Sequence, residues 1–441
     1  MSYSKFKTSS GKQFFYRNTD NSIHNEDGEL LSLPPKEGWE YFENINKQNI
    51  FGVTHKTNKP TALRILLGHA CNYSCGYCMQ KDIGNPNERG KNMFLEKFMQ
   101  QVKDNLDLAD LERVELWGGE PFLYWKDIKP VMEMLDKEGR HFFISTNGSP
   151  LQQKHVDFFK TLKASVQLSI SHDGPGQLLL RGKDVLTSKS VADVLKQFDE
   201  LYPKVQFSFN CVISRMNYDL FKINKFFKDA ADRIGITKPR ISFILGKNYD
   251  ETNSQNSAHF LIGDKERPKF KQILNDYMNA EIAQLKEHGL NKQLPLIQSN
   301  LVVGSEGAWG YARKMRHQVP VTMTSNCGAD AADVLSLDIK GNIRLCPHTS
   351  EEYNVGKIDA IQEAQVKHLD LDRKKSHCSD CNVRRLCKSS CPIKFPDEVF
   401  LQNCKNEKIW YGAIQKKALG MIFGAEPELV ELGIETIETE S

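Results

Sequence analysis

The chain has 441 residues, of which 59 are Lys or Arg and 56 are Asp or Glu, so its formal net charge at pH 7 is +3. A balance this close to neutral gives no reason to expect nucleic acid or a membrane surface as the main partner. Hydrophobic residues make up 39% of the chain, which is a globular composition. The length leaves room for about three domain-sized units.

The first residues, Met1 to Lys7, are polar and lack the apolar core of a secretory signal peptide. The chain also has no run of about 18 consecutive apolar residues, the length that spans a membrane as a helix. The sequence therefore predicts a cytoplasmic location and no membrane partner.

The predicted elements begin with a β-rich N-terminal extension over residues 1–60, which contains one hairpin with strands at 13–17 and 22–24. From residue 61, short β-rich runs alternate with amphipathic stretches. The predicted strands are 63–67, 113–117, 141–145, 166–171, 205–213 and 240–245. The predicted helices between them are 95–105, 128–138, 155–162, 191–201 and 221–231.

Strand and helix alternation with long connections predicts parallel βα units. Six such units favour an α/β fold with a partial (β/α)6 TIM-like barrel over residues 61–250. A helical and irregular connection, with a helix at about 268–288, then covers 251–325. Residues 326–441 form a cysteine-rich C-terminal domain with a closing helix at 409–423 and an acidic, mobile end.

The two faces of the predicted strand 205–213 differ in polarity. Gln206, Ser208 and Asn210 lie on one face, whereas the other face is apolar and includes Cys211. A barrel whose interior holds a polar ligand has this pattern, with apolar side chains toward the helices. Cys211 is accordingly predicted to be a buried core thiol.

The cysteines are clustered, which in a reducing compartment indicates metal binding or chemistry more than disulfides. Ten of the 11 fall into two groups and only Cys211 stands alone. The groups are Cys71, Cys75 and Cys78, and then Cys327, Cys346, Cys378, Cys381, Cys387, Cys391 and Cys404.

The first group, Cys71, Cys75 and Cys78, follows directly on the first predicted barrel strand. Three thiolates on one loop can hold an iron–sulfur cluster and leave one iron open for another ligand, whereas a closed structural site needs four ligands. The alternative is a structural zinc site with a distant fourth ligand, for which His69 is the nearest candidate.

This CxxxCxxC group, with Tyr77 before its last cysteine, resembles the signature of the radical S-adenosylmethionine (SAM) superfamily. Three further segments, each after a successive predicted strand, resemble elements of the same family. The resemblance implies SAM-binding roles for Tyr77, for Gly118, Gly119 and Glu120 of the GGEP segment, and for Ser145, Asn147, Ser169 and Arg181. Strand C-terminal ends are also where such barrels place their active sites.

The resemblance implies that the open iron of a four-iron four-sulfur (4Fe-4S) cluster binds SAM. One electron from the cluster would then cleave SAM to methionine and a 5′-deoxyadenosyl radical, which abstracts a hydrogen atom from the substrate. A reducing partner such as flavodoxin or ferredoxin is implied as well.

The second cysteine group resembles the SPASM extension of radical SAM enzymes that modify peptides and proteins. In that family the extension holds two auxiliary 4Fe-4S clusters. Carried over by position, Cys378, Cys381, Cys387 and Cys404 ligate the distal auxiliary cluster, and Cys327, Cys346 and Cys391 ligate the nearer one. The alternative is a zinc ribbon built from Cys378, Cys381, Cys387 and Cys391.

Seven thiolates cannot fill two four-coordinate sites. The nearer auxiliary cluster therefore keeps an open iron or takes another ligand, for which Asp330 and Asp333 are the local candidates. His348 is a weak candidate proton carrier but is predicted to be a surface histidine. Asp338 is predicted to be a structural turn residue.

A general base is required if the product radical loses a proton as it is oxidised. The sequence does not rank the candidates, which are Asp330, Asp333, Glu115 and His172. The resulting hypothesis is a peptide maturase with three clusters that cross-links, cyclises or dehydrogenates a side chain of a peptide or protein. Formylglycine formation, as in anaerobic sulfatase maturases, and radical modification of a small molecule are the enzymatic alternatives. An iron–sulfur electron carrier or a zinc-stabilised binding protein is the non-enzymatic one.

Overall fold

The computed structural model describes fourteen parts of the chain. These are residues 2–8, 10–17, 22–32, 55–80, 83, 94–247, 260–288, 295–316, 325–367, 369–370, 377–378, 381–393, 396–423 and 428–434, with the backbone alone for 2–3 and 428–434. Within them, no helix combines the length and the apolarity needed to cross a membrane.

A small antiparallel sheet carries the N-terminal residues. Its strands β1 (Ser2–Lys7), β2 (Gln13–Arg17) and β3 (Ile23–Asn25) include the predicted hairpin. The central feature is a nine-stranded sheet in which the strands β4 to β9 are parallel. These six strands are Ala62–Leu66, Arg113–Trp117, His141–Thr146, Ser165–Ser171, Val205–Ile213 and Ile241–Leu245.

Helices connect these strands as expected for βα units, which confirms the predicted α/β fold with a partial barrel. Among the described residues between β4 and β9 there are six α-helices: α1 (Leu95–Asn105), α2 (Trp125–Leu135), α3 (Gln153–Thr161), α4 (Gln177–Arg181), α5 (Lys189–Glu200) and α6 (Leu220–Ile234). Helices α7 (Arg267–His288) and α8 (Ala308–Arg316) follow β9.

Helix α2 begins three residues before the predicted start and ends three residues before the predicted end. A 3-10 turn at Pro121–Tyr124 leads directly into it, and the Glu120 carboxylate accepts from the Phe122 amide at the start of that turn. At the other end the Asp136 carboxylate accepts from the amides of Lys163 and Ala164, which stops the helix. The Asp136 contacts span 27 and 28 residues of sequence and leave no signal in local periodicity.

The two faces of β8 follow the predicted pattern. In β8 every second residue from Val205 to Ile213 is buried, and the intervening residues are half-buried. Phe209 of this apolar face stacks on Phe227 of α6 with ring centroids 4.6 Å apart. Cys211 has no exposed surface, which confirms the core-thiol prediction.

The cysteine-rich region extends the barrel sheet at its β4 edge. Strand β10 (Val334–Asp338) runs parallel to β4, and β11 (Asn342–Arg344) and β12 (Asn354–Lys357) continue the sheet antiparallel. The short helix α9 (Arg384–Cys387) and the long helix α10 (Asp397–Phe423) complete this region.

The prediction of a mobile acidic end is wrong for residues 428–434. Strand β13 (Glu428–Ile434) pairs antiparallel with β1 and forms an edge strand of the small sheet. The two ends of the described chain therefore lie side by side. This stretch holds two glutamates among mostly hydrophobic residues, and its partner strand lies more than 400 residues away in sequence. The remaining acidic residues, 435–441, lie outside the described residues.

Candidate functional site

The first cysteine loop follows β4 at the C-terminal edge of the parallel strands. Cys71 and Cys75 are half-buried and Cys78 is exposed. Burial raises the pKa of Cys75 to about 11 and also raises the pKa of Cys71. Thiols of this kind become thiolates only when a metal replaces the proton, so the loop suits metal binding better than nucleophilic chemistry.

The GGEP segment packs against this loop by main-chain hydrogen bonds. The amides of Gly119 and Glu120 donate to the carbonyls of Gly68 and Ala70, at 3.0 and 2.8 Å. A Cβ at Gly119 would overlap the carbonyls of His69 and Ala70. The close approach of the two loops therefore requires a glycine at position 119.

Glu120 ties the GGEP segment to the next strand end. Its carboxylate accepts from the Thr146 hydroxyl at 2.6 Å and from the Asn147 amide at 2.7 Å. Because the side chain is almost completely buried, burial raises the pKa of Glu120 to about 7. Asn147 in turn donates to the Asn72 side chain at 2.9 Å, which links this strand end back to the cysteine loop.

Asp173 lies at the centre of the fourth strand end and is not among the residues predicted from the sequence. Its buried carboxylate accepts from Arg181 Nε at 2.8 Å, from the Val212 amide at 3.0 Å and from the Tyr77 hydroxyl. The Arg181 guanidinium also lies over the Tyr77 ring, 5.3 Å from its centroid. Two predicted SAM contacts, from the cysteine loop and from α4, are thus held together by one carboxylate.

Polar side chains line the barrel interior, as the strand faces predict. Ser145 and Ser169 are register partners on β6 and β7. One strand further, the buried Oδ1 of Asn210 has no hydrogen-bond partner within the described chain. An orphaned acceptor among hydroxyl groups fits a polar ligand that carries hydrogen-bond donors, as SAM does.

Two of the candidate general bases have structural partners. Glu115 forms a buried ion pair with Arg64 at 2.8 Å. Although burial opposes it, the Arg64 charge and hydrogen bond lower the pKa of Glu115 below its usual value. His172 has no exposed surface and pairs with Asp184 at 2.9 Å, while its Nδ1 accepts from the Gly174 amide. Both groups are therefore engaged in contacts within the protein.

The second cysteine group surrounds two cavities in the C-terminal region. The smaller cavity is lined by the four thiols predicted to hold the distal cluster, Cys378, Cys381, Cys387 and Cys404. The larger cavity is lined by Cys327, Cys346 and Cys391, with Cys387 in the shared wall. The zinc ribbon would need Cys391 beside Cys378, but these two thiols line different cavities.

The residues present fit iron–sulfur clusters. Soft thiolate ligands favour such clusters. Each of the two C-terminal thiol sets lines one common cavity. Burial raises the pKa of Cys404 to about 11 and that of Cys346 to about 12, so a bound metal would have to displace their protons. In the described part of the chain, no three His, Cys, Asp or Glu side chains converge closely enough to share one metal ion.

The remaining candidates near the larger cavity differ in their surroundings. Asp330 and Asp333 do not line it and have other partners, Ser325 and Thr61 respectively. His348 lines the cavity, its ring packs edge-on against Trp117 at 5.1 Å, and its Nδ1 is buried. His348 is thus half-buried with a buried Nδ1, rather than fully exposed as a surface histidine would be. Asp338 accepts from the amides of Lys340 and Asn342, which confirms its turn role.

Comparison with known proteins agrees with the geometry of the barrel. The profile of the Radical SAM superfamily matches residues 65–214, about a third of the chain. Radical SAM cyclopropyl synthase TigE of Paramaledivibacter caminithermalis is 26% identical over 181 residues, which cover 36% of this chain and 37% of that protein. The S-adenosylmethionine-dependent nucleotide dehydratase of Psychrobacter lutiphocae is 25% identical over 198 residues, which cover 41% and 63%. The chain thus spans less than two thirds of the length of either relative.

The fold is similar over a longer stretch. The structure of native anSMEcpe with bound AdoMet and Cp18Cys peptide superposes with a TM-score of 0.56 over 83% of this chain and 99% of that one. Its sequence identity is 17%, so this likeness establishes the fold alone. Residues 65–214 therefore match the Radical SAM superfamily, and the fold that carries them is an α/β partial barrel.

Proposed function

We propose that the chain is a radical SAM enzyme with a SPASM-like C-terminal domain, and that it modifies a side chain of a peptide or protein. The observation that carries the proposal is the division of ten cysteines into three sets. One lies on the loop at the C-terminal edge of the barrel, and two line separate cavities in the C-terminal region. Under this proposal each set holds one 4Fe-4S cluster.

The residues at the barrel edge have separate tasks in this proposal. Cys71, Cys75 and Cys78 hold the first cluster, while Tyr77 and Arg181, both fixed by Asp173, orient SAM. When bound, the cluster and SAM supply one-electron chemistry that removes a hydrogen atom from the substrate. The buried walls of the barrel exclude water from this reaction.

A peptide substrate is favoured over a small molecule by the C-terminal region. This region resembles in its cysteine spacing the extension of peptide-modifying enzymes, and anSMEcpe, with the same fold, was solved with a bound peptide. The nucleotide dehydratase among the relatives represents the small-molecule alternative, but its match covers only 41% of this chain. A cytoplasmic location and a flavodoxin-like or ferredoxin-like electron donor remain predictions.

The test is a substrate-dependence assay on the full chain, reconstituted anaerobically with iron and sulfide. 5′-Deoxyadenosine is measured with SAM and a strong reductant, with and without peptides encoded beside the gene. A peptide that loses hydrogen and stimulates 5′-deoxyadenosine formation supports the proposal. Cys75→Ala should abolish formation, and the matched control Cys211→Ala should retain it because Cys211 lies outside all three sets. Stimulation by nucleotides and by none of the peptides would overturn the peptide assignment.

A further inference from the structure

The larger of the two thiol-lined cavities lacks a fourth thiol of its own. Cys327, Cys346 and Cys391 line it, and Cys387 stands in the wall that it shares with the smaller cavity. The smaller cavity needs Cys387 to reach four thiols, because only Cys378, Cys381 and Cys404 line it otherwise. A cluster in the larger cavity therefore has three thiolates and one further position to fill.

The two aspartates nearest in sequence to Cys327 are engaged elsewhere. Asp330 is completely buried, and its Oδ1 accepts from the amide and the hydroxyl of Ser325 at 2.7 and 2.5 Å. Asp333 Oδ2 accepts from the Thr61 hydroxyl at 2.6 Å. Since neither side chain lines the cavity, using either as a ligand would require breaking these bonds and moving the loop.

Most of the polar side chains around the cavity also have partners. Lys247 forms an ion pair with Glu407. Asn326 donates to the Leu386 carbonyl at 3.1 Å, and the Thr349 hydroxyl donates to the Cys346 carbonyl at 2.8 Å. These contacts connect the walls of the cavity, and the side chains that make them already have ion-pair or hydrogen-bond partners.

His348 differs from these residues. Its Nδ1 is buried and has no hydrogen-bond partner among the described residues. Its amide lies 3.4 Å from Cys346 Sγ, so the residue is held directly beside one of the three thiols. The Trp117 ring packs edge-on against the imidazole, with ring centroids 5.1 Å apart. A buried imidazole nitrogen without a partner, in a cavity lined by thiols, is a ready ligand for iron.

We propose that His348 Nδ1 is the fourth ligand of the cluster held by Cys327, Cys346 and Cys391. This inference rests on the proposed function, in which these thiols hold a 4Fe-4S cluster. A neutral imidazole donates its lone pair to the fourth iron, and no proton needs to leave. The cluster is then coordinatively complete and acts as an electron relay rather than as a binding site for substrate. Histidine ligation also raises its reduction potential above that of an all-thiolate cluster.

The test uses the full chain carrying Cys71→Ala, Cys75→Ala and Cys78→Ala, so that only the two C-terminal clusters contribute to the spectrum. After reconstitution and reduction, pulsed electron paramagnetic resonance is recorded on this background and on three additions to it. His348→Ala removes the ligand, His348→Cys replaces it with a thiolate, and His288→Ala is the control. His288 lies at the end of α7 with 44% of its side chain exposed.

The expected result is a hyperfine coupling from a directly bound nitrogen in the background and in His288→Ala, absent in both His348 variants. His348→Cys should keep about eight irons per chain and titrate at a lower potential than the background. A background with about eight irons but no bound nitrogen, or a coupling that survives in His348→Ala, overturns the inference and leaves the proposed function standing. A background with only about four irons overturns the two-cluster assignment itself, and the ligand with it.

Discussion

Asp173→Asn is the substitution that perturbs the SAM end of the barrel most selectively. The Asp173 carboxylate has no exposed surface, and the paired Arg181 side chain is 9% exposed, so solvent screens this ion pair very little. Removing one partner of a buried pair leaves an uncompensated charge and costs about 3–5 kcal/mol. An amide at position 173 also cannot accept from Arg181, Tyr77 and the Val212 amide at once.

Asp199→Asn is the matched control. Asp199 is 6% exposed, and its carboxylate accepts from the Thr237 amide and hydroxyl and from the Lys238 amide. The Asp199→Asn variant therefore loses the same kind of hydrogen bonds without leaving a buried cation unpaired. Its substitution should cost about 1–3 kcal/mol.

Two measurements on each variant separate the loss of stability from the loss of SAM affinity. Denaturant unfolding under anaerobic conditions should show Asp173→Asn about 2 kcal/mol less stable than Asp199→Asn, from the difference between the two costs. Calorimetry should show SAM binding at least about tenfold weaker in Asp173→Asn alone, since Arg181 and Tyr77 lose their common anchor. Equal stability of the two variants together with unchanged SAM affinity in Asp173→Asn would refute the role given to this carboxylate.

Four further changes have defined outcomes. Lys56→Met removes a buried ammonium that donates to three main-chain carbonyls of the segment after Cys327. The iron content should therefore fall by about four per chain. Lys59→Met, at an exposed lysine, should keep the full iron content. Gly119→Ala should abolish SAM binding in calorimetry because the added Cβ overlaps the cysteine loop, and unchanged affinity would contradict that packing. Because burial raises the pKa of Glu120 to about 7, its carboxylate is protonated below that pH and its amide contacts weaken. SAM affinity should therefore fall as pH is lowered from 8 to 6, by about tenfold per unit at most below pH 7, and Glu120→Gln should remove this dependence. Cys211→Ala should keep the full iron content and lose about 1–2 kcal/mol of stability as a small core cavity forms; a loss of about four irons would reveal a ligand.

The sequence predicts the barrel well because its signals are local. Alternating polarity in the strand Val205–Ile213 places Asn210 and Cys211 on opposite faces, and the structure agrees. The turn role of Asp338 also follows from a short pattern that the folded chain retains. The division of the C-terminal cysteines into two sets comes from the family resemblance, and each predicted set lines a common cavity.

Features that depend on contacts between distant residues cannot be predicted from local sequence patterns. Asp173 is recognisable as an anchor only when Tyr77 and Arg181 converge on it in the folded barrel. The pairing of β1 with β13 and the burial of His348 against Trp117 join segments more than 200 residues apart. An adjacent His-Asp-Gly-Pro run after the fourth strand was the available signal for Asp173, since parallel strand ends carry binding residues.

The most direct test of the proposed radical SAM chemistry is one anaerobic measurement on the reconstituted full chain. Iron and sulfide are counted per chain, and 5′-deoxyadenosine is then measured after addition of SAM and a strong reductant. About twelve irons with 5′-deoxyadenosine formation is the predicted result, since three thiol sets each hold a cluster of four irons. Zinc in place of iron, with SAM left intact, would contradict it and would make the cysteines purely structural.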